Sequence, residues 1–169
     1  MFADEASFWL DGTLHTTWSR VGVQPRVDTF GERKTAHVFG AISLEPRPRF
    51  VYRFANVFSG HTFHEFLVTL TASYRRKVFL VIDNGPCHHL DEAGKRWLAK
   101  NQHRIELFRL PSYSPELNAI EGVWKTTKRT TTHNRFYRTE AERNLALAAT
   151  FINFNAFPHL VAGHVARFL

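Results

Sequence analysis

Three acidic residues, Asp4, Asp83 and Glu121, hold the positions from which this sequence could do chemistry. Asp83 ends the run Lys77-Val-Phe-Leu-Val-Ile-Asp83-Asn84, in which Val78 to Ile82 are all apolar and mostly β-branched or aromatic. A short continuous run of that kind fits a strand buried on both faces. Asn84-Gly85-Pro86 then turns the chain. A carboxylate at the tip of a central strand is either a turn cap or an active-site group, and ligands of open α/β sheets bind at the carboxyl ends of strands. Asp4 lies in the first strand region and Glu121 near the start of a helix. If the first strand lies beside the Asp83 strand and that helix crosses their ends, the three carboxylates converge.

Converging carboxylates repel one another unless a cation sits between them. Hard divalent cations such as Mg²⁺ or Mn²⁺ take oxygen ligands and keep open positions. Two of them roughly 3.5–4 Å apart can stabilise both the attacking and the leaving oxygen at a phosphorus centre. Acids, rather than His or Cys clusters, suit phosphodiester chemistry for this reason. Each residue has a plainer reading too. Asp83 could close an Asx-turn with Gly85. Glu121 could form a capping box with Asn118. Asp4 could face solvent, with Glu5 as the rival ligand, since strand alternation lets only one of the pair point at a metal.

The acids need a sheet to hold them. Met1 to Leu10 reads as a strand and Asp11-Gly12 as a hairpin turn. Thr16 to Val27 gives a second strand region, interrupted at Gly22 and Pro25; Thr35 to Leu44 gives a third and Phe50 to Phe58 a fourth. Phe63, Phe66, Leu67, Leu70 and Tyr74 recur at helical spacing, with Thr62 and Glu65 as a capping box, so a helix is predicted over 62–75. After the Asp83 strand, Asp91 caps a short helix with Ala93, Trp97 and Leu98 inside. Ile105 to Leu110 is another strand. A helix begins near Ser114 or Asn118 and runs to about Arg129, with Trp124 in the core, followed by a polar loop at 130–134. Thr139 and Glu142 form a second capping box ahead of a long helix whose apolar stripe is Leu145, Ala148, Ala149 and Ile152. Leu160 to Leu169 adds a short one. Antiparallel strands followed by alternating helix and strand predict one α/β domain over 1–169, with a mixed sheet and helices on its faces.

Composition narrows the function classes. The chain has 169 residues, 44% hydrophobic and 14% aromatic, enough for a real core and unlike a disordered segment. Lys and Arg total 22 against 15 Asp and Glu, a formal net charge of +7, which points to an anionic partner and first to nucleic acid. The one cysteine, Cys87, excludes an internal disulfide and permits the cytosol. No apolar stretch approaches the ~20 residues of a membrane span, so no membrane partner is expected. The start Met1-Phe-Ala-Asp-Glu lacks the features of a signal peptide.

Three segments carry a family resemblance. Phe2-Ala-Asp4-Glu5-Ala-Ser-Phe8, Val81-Ile-Asp83-Asn84-Gly-Pro-Cys-His88 and Leu110-Pro-Ser-Tyr113-Ser114-Pro115-Glu116-Leu117-Asn118-Ala-Ile-Glu121-Gly-Val-Trp124-Lys-Thr-Thr-Lys128 resemble the signatures of the DDE transposases of the IS630/Tc1/mariner superfamily, most closely its bacterial IS630 branch. Thirty-seven residues separate Asp83 from Glu121, which suits the short second spacing of that superfamily. The resemblance implies an RNase H-like fold and a catalytic site in which Asp4, Asp83 and Glu121 hold two Mg²⁺ or Mn²⁺ ions. It implies hydrolysis of a phosphodiester at the element end, followed by attack of the freed 3′-OH on target DNA. The partners it implies are double-stranded DNA, as transposon ends and target, and a second copy in a synapsed dimer. The chain departs from the family in two ways. Ala119 stands where members typically have Pro, and no helix-turn-helix region precedes Asp4, which fits the second frame of a split gene with that module on a separate upstream polypeptide, a truncated remnant, or a catalytic domain taken from a longer chain. A bacterial cytoplasmic, nucleoid-associated protein is the expectation.

Around the site, Asn84 could hold the turn or touch DNA, and His88 could orient a phosphate or a carboxylate. Lys125 and Lys128, four and seven residues after Glu121 on the same helical face, could meet phosphates. Arg26, Arg33, Lys34, Arg75, Arg76, Lys77, Lys128, Arg129, Arg135 and Arg138 are candidates for a backbone-binding surface. The alternatives are a non-catalytic DNA-binding remnant of a transposase, an RNase H-like nuclease acting on hybrids or branched DNA, and a subunit whose basic surface serves assembly.

Overall fold

β1, Phe2–Trp9, is the centre of the molecule. In the computed structural model, which describes residues 1–31, 34–112 and 114–169, it pairs antiparallel with β2, Thr35–Ile42, from Phe2↔Ile42 to Trp9↔Thr35. β2 pairs antiparallel with β3, Phe50–Ala55. On its other side β1 runs parallel to β4, Val78–Ile82, through Phe2↔Val81. β4 in turn pairs parallel with β5, Ile105–Arg109. The five-stranded order is β3-β2-β1-β4-β5. The strand bearing Asp4 therefore lies beside the strand that leads to Asp83, the adjacency that convergence of the acids requires.

Helices cover both faces. α1, Gly60–Ala72, buries Phe63, Phe66, Leu67 and Leu70 against Ala3, Phe39, Leu80 and Ile82. α2, Glu92–Lys100, follows, capped by Asp91 Oδ1 accepting from Gly94 N at 2.7 Å. On the opposite face α3, Ile120–Thr127, α4, Glu140–Ala156, and α5, His159–Val165, pack on Phe2, Ala6, Phe8 and Phe50. No single helix among the described residues is long and apolar enough to cross a membrane.

The glycine opposite Asp4 makes this packing possible. Gly40 pairs with Asp4 across the sheet, and a Cβ there would come within 2.5 Å of the Trp124 ring and 2.8 Å of Phe50. A glycine inside a strand marks just such a close approach. With no side chain in the way, Trp124 lies against the sheet, 2% exposed, and brings the first turn of α3 to the Asp4 end of β1.

Several sequence expectations are corrected. Residues 16–27 form no strand; they lie in a long exposed connection between β1 and β2, closed at its base by Leu10 N donating to Lys34 O at 2.7 Å. Gly22 at φ 83° and Pro25 interrupt any regular pairing there. Asp11-Gly12 is not a tight hairpin turn: Asp11 forms an isolated bridge with Phe136, and Gly12 packs against the Arg135 backbone. The α1 capping box is Ser59 with Thr62, because the helix starts earlier than its apolar stripe; Glu65 pairs with Arg53 instead, at 3.1 Å. In α2, Gly94 is buried and Ala93 exposed. α3 starts at Ile120, after a separate 3₁₀ turn at Pro115–Leu117, and the predicted loop begins as a π-type turn at Lys128–Thr132. Thr139 does cap α4 by accepting from Glu142 N, but the Glu142 carboxylate takes Arg138 N instead of completing the box. The buried stripe of α4 is Arg143, Leu147, Phe151 and Phe154; Leu145 and Ile152 face out at 71% and 59% exposure. The aromatic rings of Phe8, Phe50, Tyr52 and Trp124 select Phe151 over the aliphatic face.

Candidate active site

The pleat of β1 sends Asp4 and Glu5 to opposite faces. Asp4 shares its face with Phe2, Ala6 and Phe8, under α3, and is buried at 7% exposure. Glu5 turns toward His88, with its Oε2 3.1 Å from His88 Nε2 in an ion pair that is not aligned as a hydrogen bond. Asp83 stands just past the end of β4, and Glu121 in the first turn of α3. Asp83 and Glu121 line one cleft of about 420 Å³, with Asn84, Gly85, Ser112, Ser114 and Asn118 between them.

Electrostatics ties Asp4 to both. Burial first, then the charge of Glu5, with those of Glu121 and Asp83 adding to it, push the Asp4 carboxyl up to about 8. Acids on three separate elements thus share one field, and such a set is relieved by a cation. All the donors it offers are oxygens, which matches hard divalent ions. The plainer role for Glu121 is not formed: α3 has no side-chain cap, Asn118 Oδ1 accepts no hydrogen bond among the described residues, and Glu121 N donates to the Asn118 backbone carbonyl at 3.3 Å. The plainer role for Asp83 is partly realised: its Oδ1 accepts from Gly85 N at 2.8 Å, an Asx-type contact.

The other predicted positions divide. Asn84 donates from Nδ2 to Leu110 O at 2.8 Å, tying the end of β4 to the end of β5, while remaining exposed. His88 is inside the molecule at 1% exposure, a place that suits orienting a carboxylate and not meeting a phosphate. Burial lowers its basicity, but the adjacent Glu5 and Asp83 carboxylates outweigh that and raise it. Burial likewise raises Glu5, and the His88 contact outweighs it and lowers its pKa. Lys125 and Lys128 are exposed on α3 and just after it. Lys128 shares a second cleft, of about 530 Å³, with Glu121, Trp9, His15 and His133. Arg33 and the signature tyrosine Tyr113 lie outside the described residues.

Sequence reasoning missed three supporting groups. Arg109 donates to the carbonyls of Asp83 and His88 at 3.3 and 3.2 Å. Gly40 could have been found, since a glycine interior to an otherwise apolar strand asks for a packing reason. Cys87 brings its sulfur within 4.8 Å of the Glu5 and His88 donors. Burial and the Glu5 charge raise its pKa, which keeps the thiol protonated and disfavours it as a ligand.

A family model described as "DDE superfamily endonuclease" matches residues 1–142. The chain belongs to the DDE superfamily endonucleases. Among curated relatives, an insertion element IS630 uncharacterized 39 kDa protein of Shigella sonnei is 29% identical over 135 residues, which is 79% of this chain and 38% of that protein. This DDE chain therefore spans under two-fifths of that relative's length. Among solved structures, the Mos1 strand transfer complex superposes with a TM-score of 0.68 at 13% identity, over 98% of this chain and 50% of that one. The Mos1 mariner paired end complex with Mn gives 0.60 at 14% identity, over 98% and 54%. The fold of this DDE domain is thus the mixed α/β, RNase H-like fold expected, and the IS630 and mariner likenesses agree with the branch that its three signatures resemble.

Proposed function

We propose that this domain is the catalytic core of a DNA transposase that cuts a phosphodiester at an element end and joins the freed 3′-OH to target DNA. The observation that carries the reading is geometric: Asp4 is buried on β1, beside the strand that leads to Asp83, and Asp83 and Glu121 line one cleft. Asp4, Asp83 and Glu121 would hold two Mg²⁺ or Mn²⁺ ions. Bound there, the ions would stabilise charge on the attacking and leaving oxygens of the phosphate. Solved Mos1 paired end complexes with Mn and with Mg support divalent metal use.

The chain's own residues supply the setting. Asp4, out of water on β1, is the fixed ligand; Asp83 and Glu121 close the cleft from two other elements. Lys128, beside Glu121, and Lys125 on the same helix would meet phosphates flanking the scissile bond. Asn84, already bonded to Leu110 O, would keep the floor of the cleft closed and present its remaining polar atoms to DNA. Reading of the element's end sequence would fall to a helix-turn-helix module outside these residues, and two copies would synapse two ends.

The test is nicking of end-containing duplex DNA with Mg²⁺ or Mn²⁺. Asp83→Asn should lower the rate by about a thousandfold or more, several kcal/mol of lost charge stabilisation, while the protein stays folded. Salt-dependent DNA binding without any metal-dependent cleavage would instead mark a non-catalytic remnant. Preference for an RNA–DNA hybrid would mark a nuclease of the same fold.

A further inference from the structure

Behind the acidic cleft, one buried group has no part in the chemistry above. His88 closes a 3₁₀ turn, Pro86–His88, and is 1% exposed. Its Nδ1 lies 2.6 Å from Asp83 Oδ1 and its Nε2 3.1 Å from Glu5 Oε2, so each ring nitrogen faces a carboxylate oxygen, and of the two contacts the Asp83 one is aligned as a hydrogen bond. The Phe63 ring packs on the imidazole at 4.6 Å and 56°. Arg109 holds the backbone on both sides, bonding the Asp83 and His88 carbonyls.

We propose that His88 is a positioning residue: anchored by Glu5, it pins Oδ1 of Asp83 and leaves Oδ2 as the oxygen that faces a cation. This rests on the metal-binding reading of Asp83 and deepens it. Asp83 needs such help because its side chain is 46% exposed and sits beyond the last strand residue, where packing does not fix its rotamer. Oδ1 takes two donors, His88 Nδ1 and Gly85 N at 2.8 Å, and no described residue bonds Oδ2. Gly85 is part of the device: a Cβ there would stand 3.0 Å from Oδ1 and 3.6 Å from the His88 ring nitrogen. Carboxylates that bind metals are commonly fixed by such outer hydrogen bonds, and losing one typically costs 10–100-fold, roughly, in metal affinity or activity. Glu5, the neighbour of Asp4, thereby gains a role without touching the cation.

The experiment measures Mn²⁺ affinity directly, by calorimetry and by electron paramagnetic resonance, on the wild type and on His88→Ala, His88→Asn, Glu5→Gln and Asp83→Asn, with folding followed by circular dichroism. His88→Ala is expected to weaken Mn²⁺ by about 10–100-fold while KM for DNA is unchanged. His88→Asn, whose amide can still donate to Asp83, is expected to recover part of that loss. Glu5→Gln is expected to weaken Mn²⁺ less than Asp83→Asn does. Wild-type Mn²⁺ affinity in folded His88→Ala overturns the proposal, and so does a loss in Glu5→Gln equal to that in Asp83→Asn, which would make Glu5 a ligand. If His88→Ala does not fold, unchanged affinity in both His88→Asn and Glu5→Gln overturns it. A wild type that binds no Mn²⁺ fails the metal reading itself, whereas a binding wild type matched by His88→Ala fails only this inference.

Discussion

Asp4 is the residue at which stability and the proposed function pull against each other. Its carboxyl titrates at about 8 in the fold against an ordinary value of 3.8. A raised acid stabilises the fold fully below its unfolded value, and that contribution is lost as pH rises through the folded one. His88 acts in the same direction, because its raised pKa makes a contribution that is lost above its own folded value. Glu5 acts oppositely, but only on the acid side of its ordinary 4.5. Without divalent ions, stability should therefore fall between pH 6 and pH 9 by about a few kcal/mol, since a tenfold change in a proton equilibrium is worth roughly 1.4 kcal/mol. The melting temperature should follow it down. Asp4→Asn should flatten most of that slope, and Mg²⁺ should raise the melting point more at pH 9 than at pH 6. A metal-free protein whose melting is level across this range would show that Asp4 is not under the charge described. At this scale the sequence was informative about types and poor about directions. Asp4 and Glu5 were rival candidates in the sequence, and it takes the pleat, read against Phe2, Ala6 and Phe8, to show that they face opposite sides of the sheet. His88 could be placed in a signature, yet its burial between two carboxylates depends on how a turn packs under α1, which no local pattern encodes.

Among the elements, the close packing of α3 on β2 decides where Glu121 stands. Gly40 gives Trp124 room, so Gly40→Ala should destabilise by about 1–3 kcal/mol through overpacking, and it should slow metal-dependent cleavage by moving the first turn of α3. Normal cleavage at reduced stability would separate the packing from the site. α4 supports α3 from behind through Phe151, which is fully buried and touches the rings of Phe8, Phe50, Tyr52 and Trp124. Phe151→Ala should cost about 3–5 kcal/mol, while Leu145→Ala, on the outer face, should stay within about 0.5 kcal/mol. Thermal or denaturant melts decide between these faces. The strands and α1 were legible because their apolar runs match one period each. The face of α4 was not, because it has apolar residues all round and the choice between Leu145 and Phe151 is made largely by aromatic partners on β1 and β3, far away in the chain. The 16–27 stretch failed for the opposite reason: its residues have strand-like types but Gly22 and Pro25 deny them a partner.

For the molecule as a whole, a net charge of +7 coexists with an acidic cleft between Asp83 and Glu121, and the described basic residues lie outside the lining of that cleft. Sequence could name basic residues but not sort them, since sorting is a matter of which ends of which elements meet. The fold sorts them. Lys128 lines the second cleft that contains Glu121, and Arg129 and Arg135 line the adjoining one, which shares His15 and His133 with it. Arg75, Arg76 and Lys77 precede β4, at the end of the strand opposite Asp83. Five residues of extended chain put them about 16 Å away, beyond a Debye length at physiological salt. Each phosphate contact adds roughly 0.9 to the slope of log affinity against log salt. Replacing Lys128, Arg129 and Arg135 together with alanine should therefore reduce that slope by about two to three, with affinity falling uniformly across DNA sequences. Replacing Arg75 and Arg76 should change it by less than about one. Titrations of duplex DNA at several salt concentrations measure both. If the pair far from the cleft carries the larger slope, DNA lies across the other end of the sheet, and the acids on β1 and at the carboxyl end of β4 cannot be where it is cut.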